Sequence, residues 1–179
     1  MDIYKHRFTQ LQAEIFSLLC VRAGEMLSQR DMAKILKVSP TAIANSLKTI
    51  KEENLINIEK TKTINFVSLN RNERRAIEMK RVENLRNIYV SELIGRLEEE
   101  LPGGTIILFG SYSKGEDTNT SDIDIAIIGR KEKNLDLTKF ELSLKRKIIV
   151  QFYDSLKNIH KNLRESILNG TVLSGSIEL

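Results

Sequence analysis

The apolar positions fall into three successive patterns. In the first, Leu11, Ile15, Leu18 and Leu19 recur at helical spacing, which predicts a helix over residues 9–23 ended by Gly24. Ser28, with Asp31 three residues on, marks the start of a second helix, whose Met32, Ile35 and Leu36 are expected to face inward. Ser39 caps a third helix with Pro40 at its first position, where a missing N–H removes no bond. Ala42, Ile43, Leu47 and Ile50 form its apolar stripe. Beyond Asn54 the period shortens to two. Ile56, Ile58, Ile64, Phe66 and Leu69 alternate with polar residues about Lys60-Thr61-Lys62, the pattern of a β-hairpin with a basic tip.

Residues 71–100 form the second pattern, without proline and dense in Arg and Glu. Ile77, Val82, Leu85, Tyr89, Leu93 and Leu97 mark one face of a long helix, with a break expected near residue 90. The third pattern follows the turn Pro102-Gly103-Gly104. It predicts strands over 105–109, 123–127 and 147–153 and a helix over 136–145. A last helix should run from Ser155 to Asn169-Gly170, followed by a short edge strand over 171–173. The whole reads as an α+β chain with domains at 1–70 and 101–179. A linking helix over 71–100 joins them, its later part packing on the C-terminal domain.

Composition narrows the classes. The chain has 179 residues, 41% of them hydrophobic, which supports a buried core. No apolar run approaches the roughly 20 residues of a membrane helix, and the polar stretch Met1–Gln10 lacks the apolar segment of a secretory signal. A cytoplasmic protein with no membrane partner is expected. The single cysteine, Cys20, allows no internal disulfide and reads as a buried packing thiol. His6 and His160 are far apart and read as surface residues rather than zinc ligands. The net charge of +4 is compatible with nucleic acid without demonstrating it.

Helix, helix-turn-helix and basic hairpin, in that order over residues 8–70, resemble a winged-helix domain. The resemblance implies a double-stranded DNA partner. Thr41, Asn45, Ser46 and Lys48 would then face the major groove, with Lys60 and Lys62 meeting phosphates from the wing. Protein–protein contact is the alternative use of such a fold. Residues 1–70 hold ten basic and seven acidic side chains, a modest excess.

The sharpest motif runs from Gly110-Ser111-Tyr112-Ser113-Lys114-Gly115 to Ser121-Asp122-Ile123-Asp124. A glycine at a strand end permits close backbone approach, and Ser111 opens a short helix whose N–H groups favour an anion. Lys114 can neutralise a phosphate. Asp122 and Asp124, two apart on a strand, share a face and repel unless a cation lies between them. A phosphate cradle beside paired carboxylates suits nucleotidyl transfer.

This motif resembles that of the DNA polymerase beta-like nucleotidyltransferases, especially their minimal, often prokaryotic members, with the likeness extending over residues 80–174. The resemblance implies a nucleoside triphosphate, ATP first, bound at Gly110, Ser111, Lys114, Gly115 and Ser121. It also implies Mg2+ or Mn2+ at the catalytic Asp122 and Asp124, and transfer of a nucleoside monophosphate to a hydroxyl acceptor. Active members usually carry a third carboxylate on the next strand. Here the face-sharing positions are Ile149, Gln151 and Tyr153, or Ile148, Val150 and Phe152, none acidic. Asp154, at the strand end, is the remaining candidate. The alternative is therefore a transcription regulator, or an antitoxin-type protein with a small helical toxin-like partner, whose domain binds nucleotide with little or no turnover. A homodimer seam is expected along Leu85, Tyr89, Leu93 and Leu97.

Overall fold

The computed structural model describes residues 8–62 and 64–177, so His6 lies outside the described residues. The chain divides into two compact units, Met1–Lys80 and Arg81–Leu179.

In the first unit, α1 (Gln10–Val21) opens with a capping box in which the Thr9 hydroxyl accepts from Gln12 and the Gln12 side chain bonds the Thr9 N–H. A two-residue strand, β1 (Leu27–Ser28), leads into α2 (Gln29–Leu36). The Ser28 hydroxyl takes the Asp31 N–H at 3.1 Å and donates to the Asp31 carboxylate at 2.6 Å. Lys37 turns into the left-handed region at φ 56° and ends α2. Ser39 then caps α3 (Pro40–Glu52), accepting from Ala42 at 3.1 Å. The hairpin β2 (Ile56–Lys60) and β3 (Asn65–Leu69) closes the unit with β1 in an antiparallel sheet of order β1-β3-β2. This is the winged-helix arrangement, with α2 and α3 as the helix-turn-helix and β2–β3 as the wing. Its core joins Ile15, Leu19, Cys20, Met32, Ile43, Leu47, Ile50, Ile56 and Val67. The Cys20 thiol is buried there.

Three apolar positions differ from the sequence pattern. Ile35 is 45% exposed. Met32, Ala33 and Leu36 already span the core-facing arc of a helix only two turns long, and Ile35 falls about 100° from its centre. In β3 the buried set is Val67 and Leu69, so Ile64 and Phe66 belong to the other face.

The second unit begins within α4 (Arg74–Val90). A break at Ser91-Glu92 separates α4 from α5 (Leu93–Glu100). The Ser91 hydroxyl donates to the Ile88 carbonyl, and Glu92 sits at φ 62°. The break resets the helical phase, which corrects the expected dimer seam. Leu93 and Leu97 are fully buried in the unit's own core, Leu85 is half-buried, and Tyr89 and Val82 are exposed. Four strands follow, β4 (Thr105–Phe109), β5 (Ile123–Ile128), β6 (Ile148–Tyr153) and β7 (Thr171–Ser174), in the order β6-β5-β4-β7. A short helix, α6 (Gly110–Lys114), follows β4. The crossover carrying α7 (Thr138–Leu144) makes β6 parallel to β5. A 3-10 turn (Leu156–Asn158) and α8 (Lys161–Leu168) take the place of the single last helix expected from Ser155. His160 is exposed, as its reading expected.

Both faces of this sheet are covered, which is why its strands read as nearly unbroken apolar runs. One face packs Ile106, Leu108, Ile123, Ile125, Ile127 and Ile148 against α5 and α7. The other packs Ile107, Phe109 and Ala126 against Leu156, Ile159 and Ile167. No helix of the described residues is long and apolar enough to cross a membrane.

Candidate active site and nucleic-acid interface

At the end of β4 the chain turns sharply through Gly110 at φ 75° into α6, whose first turn no side chain caps. Phe109 is the cross-strand neighbour of Asp124 on β5, so Gly110 lies against the Asp124 carboxylate. A Cβ added at Gly110 would fall 2.5 Å from Oδ2 of Asp124. Glycine is thus required here twice, by backbone angle and by contact. Gly115, at φ 76°, ends α6 in the left-handed conformation. Ser111 is half-buried and Lys114 exposed at the last position of α6.

Asp122 is exposed just before β5, and Asp124 is half-buried on it. Ile123 between them points into the α5–α7 core, so the two carboxylates share the opposite face. Burial pushes the Asp124 carboxyl above the ordinary aspartate value, and the nearby charge of Asp122 pushes it further in the same direction. This is a strained anionic pair of the kind that accumulates at functional sites.

The parallel register decides which face of β6 looks across. Asp124 pairs with Ile149, and Ala126 with Gln151, so Ile149, Gln151 and Tyr153 share the carboxylate face. Gln151 accepts a hydrogen bond from the Tyr153 hydroxyl at 2.6 Å, and burial raises the Tyr153 pKa. No carboxylate stands on this face of β6. Asp154 does not compensate, because it lies five residues beyond Ile149, about 16 Å along the strand. Among the described residues no group of three or more His, Cys, Asp or Glu is placed to hold a metal ion. The site offers two carboxylates.

Ser121, expected at a nucleotide, also has a partner within its own loop. Its hydroxyl accepts the Thr118 N–H at 2.9 Å and approaches the Thr118 hydroxyl at 3.3 Å, so it pins the loop ahead of Asp122.

A buried polar network behind this loop escaped the sequence pattern. Asn84 on α4 donates to the Tyr112 carbonyl at 2.9 Å and to Asp117 at 2.7 Å. Asp117 faces the Arg146 guanidinium at 3.6 Å. Only the position of Asp117 inside the motif segment hinted at it. Polar residues in a helix and before a strand otherwise read as surface.

A cavity of about 640 Å³ lies at the opposite end of the sheet, lined by Gly103, Thr105, Ile128, Asp154 and Ser174.

In the first unit, Thr41, Asn45 and Lys48 form one exposed stripe along α3. Ser46 falls off it. It lies about 140° round the helix from Thr41 and about 60° from Ile43, and is half-buried beside the core. Lys60 and Lys62 are exposed at the wing, where the Thr61 N–H and hydroxyl both bond the Ile64 carbonyl.

The two units thus define a winged-helix module followed by a nucleotidyltransferase-type α+β domain. Residues 90–174, just under half the chain, match the family model described as a nucleotidyltransferase domain. Among solved structures, the chain is similar to ZitR of Lactococcus lactis, a zinc-responsive MarR family member. Identity is 21%, over 53% of this chain and 64% of that one, at a TM-score of 0.41. The chain therefore spans a little under two thirds of that structure's length. It is also similar to MepR, a transcription regulator of the Staphylococcus aureus multidrug efflux pump MepA (19% identity, 55% and 72% of the two chains, TM-score 0.42). A third is the adhesin competence repressor AdcR of Streptococcus pyogenes (18% identity, 53% and 69%, TM-score 0.41). A search of curated proteins finds no match.

Proposed function

We propose that this chain is a DNA-binding nucleotidyltransferase, which moves a nucleoside monophosphate from a nucleoside triphosphate, ATP first, to a hydroxyl acceptor. The observation that carries the reading is the packing of Gly110 against Asp124, with Asp122 on the same face and the uncapped start of α6 beside them. Two hard oxygen donors that repel each other suit Mg2+ or Mn2+, so Asp122 and Asp124 would hold the cation. When bound, it supplies charge neutralisation at the transferring phosphate. The chain's own groups do the rest. The Ser111 hydroxyl and the first N–H groups of α6 orient the phosphates, and Lys114 offsets their charge. The acceptor oxygen bonds to the α-phosphorus as the bond to the bridging oxygen breaks, pyrophosphate leaves, and the hydroxyl proton passes to water.

One observation favours a second reading. With no carboxylate opposite Asp124 on β6, the acceptor hydroxyl has no evident base. A regulator, or an antitoxin-type protein paired with a small helical toxin, would need the nucleotide only as a ligand. The deciding experiment incubates the full chain with labelled triphosphates, Mg2+ and candidate acceptors, reading pyrophosphate and labelled macromolecule together. Transfer supports the enzyme. Saturable binding in calorimetry with no transfer moves the function to the regulator, and no binding at millimolar nucleotide defeats both.

Duplex DNA is the proposed partner of the first unit, with the α3 stripe Thr41, Asn45 and Lys48 toward the bases and Lys60 and Lys62 toward phosphates. Lys60→Ala with Lys62→Ala is expected to weaken binding to a mixed-sequence duplex. It should also reduce the slope of log affinity against log salt by about 1.8, for two lost phosphate contacts. Anisotropy titrations at several salt concentrations measure both, and an unchanged slope removes the wing from the interface.

A further inference from the structure

The four-stranded sheet has two outer strands, and the sequence treats them differently. β7 has four residues, and its ladder with β4 is interrupted between Ile106 and Ile107. β6, Ile-Ile-Val-Gln-Phe-Tyr, has six residues, keeps unbroken register with β5, and carries no charge, proline or glycine. Outer strands are normally protected by lysine, proline or a bulge, because their open N–H and C=O groups template further pairing. β6 has none of these.

Its hydrogen-bonding phase is fixed. The carbonyls of Lys147 and Tyr153 accept from Ile123 and Gly129, so odd-numbered residues bond toward β5. Ile148, Val150 and Phe152 therefore turn their backbone groups outward. One of these groups is engaged, since the Ile148 N–H donates to the Glu141 carboxylate at 2.9 Å. Among the described residues no strand lies beyond β6. Val150 and Phe152 are half-buried, and with Arg130, Lys131, Glu132 and Asp154 they line a cleft of about 390 Å³ along this edge.

We propose that the β6 edge is the interface of a homodimer, in which two copies pair their β6 strands antiparallel about a two-fold axis. The charges flanking the strand select this occupant and direction. Exposed Lys145 and Lys147 precede β6, and exposed Asp154 follows it, where Lys131 and Glu132 offset each other and the Arg130 guanidinium is turned to the Pro102 and Gly129 carbonyls. Antiparallel pairing sets the basic entry of each copy near the acidic exit of the other, whereas parallel pairing sets like charges together. A two-fold axis at Gln151 also places Val150 of each copy beside Phe152 of the other. Such an interface is closed, so it gives a dimer rather than a filament.

The test is the solution mass of the full chain by light scattering across concentration. Twice the 20.5 kDa chain mass is expected for the parent protein. Val150→Pro removes an outward N–H, sparing the β5 ladder, and should give a monomer with unchanged far-ultraviolet dichroism. Lys147→Asp should weaken the dimer about tenfold or more, and Lys147→Asp with Asp154→Lys should restore it. If Val150→Pro fails to fold, the charge series decides alone. A monomeric parent protein, or a dimer indifferent to the charge series, overturns the interface.

Discussion

Replacing Asp117 with alanine is expected to destabilise the C-terminal unit by about 3–5 kcal/mol, the usual result of removing one partner from a buried ion pair. Asp117 is 1% exposed and Arg146 6%, and their closest approach is 3.6 Å. At that separation the attraction is not at its strongest, but burial decides the outcome, because the guanidinium keeps its desolvation cost and loses the charge of Asp117. Asn84 loses an acceptor in the same step. Three of the four tyrosines, Tyr89, Tyr112 and Tyr153, lie in this unit, so a tyrosine signal in urea titration reports mainly its unfolding. Asp117→Ala with Arg146→Met should recover much of the loss, since an apolar replacement needs no partner. A single-variant loss under about 1 kcal/mol would mean that the pair is solvated and surface-like.

Local chemistry was the most legible part of this chain. Ser28 and Ser39-Pro40 announce their helices because a cap is an interaction between a side chain and a backbone group two or three residues on, all within the written order. The Gly110–Asp124 segment was legible for a related reason, since its turn, short helix and paired carboxylates are consecutive. Long-range facts were not. Ile149 and Ile148 are equally apolar, so β6 could be read in either phase, and only its register against Asp124 separates them. The helix break expected near residue 90 falls at Ser91-Glu92, but its change of phase was not legible, so the apolar stripe drawn through it joined residues of two different helices. Ser46 and Ser121 look available in one dimension, yet one sits beside a core and the other is engaged by its own loop. Asn84, Asp117 and Arg146, 62 positions apart at the extremes, have no signature until the chain folds.

Transfer is expected to fall to background in Asp124→Asn and to rise by about 10²-fold in Ile149→Asp, the low end of what a positioned base contributes. Ile149 is the direct neighbour of Asp124 across β5 and β6, half-buried on the same face, so an aspartate there supplies the absent third carboxylate without moving the backbone. The electrostatics make a second, independent forecast. The Asp124 pKa is raised in the fold, so its ionised form is penalised there, and its contribution to stability is lost as pH rises through that value. At neutral pH without divalent cation, Asp124→Asn should therefore melt above the parent protein, and Ile149→Asp, with a third like charge, below it. Adding Mg2+ should raise the melting temperature most in Ile149→Asp and least in Asp124→Asn, because a ligand stabilises in proportion to how tightly the folded state binds it. Ile149→Asp that gains cation-dependent stability but no transfer would show that a base is not what limits this site. That outcome would favour a domain that reads nucleotide on behalf of the winged helix.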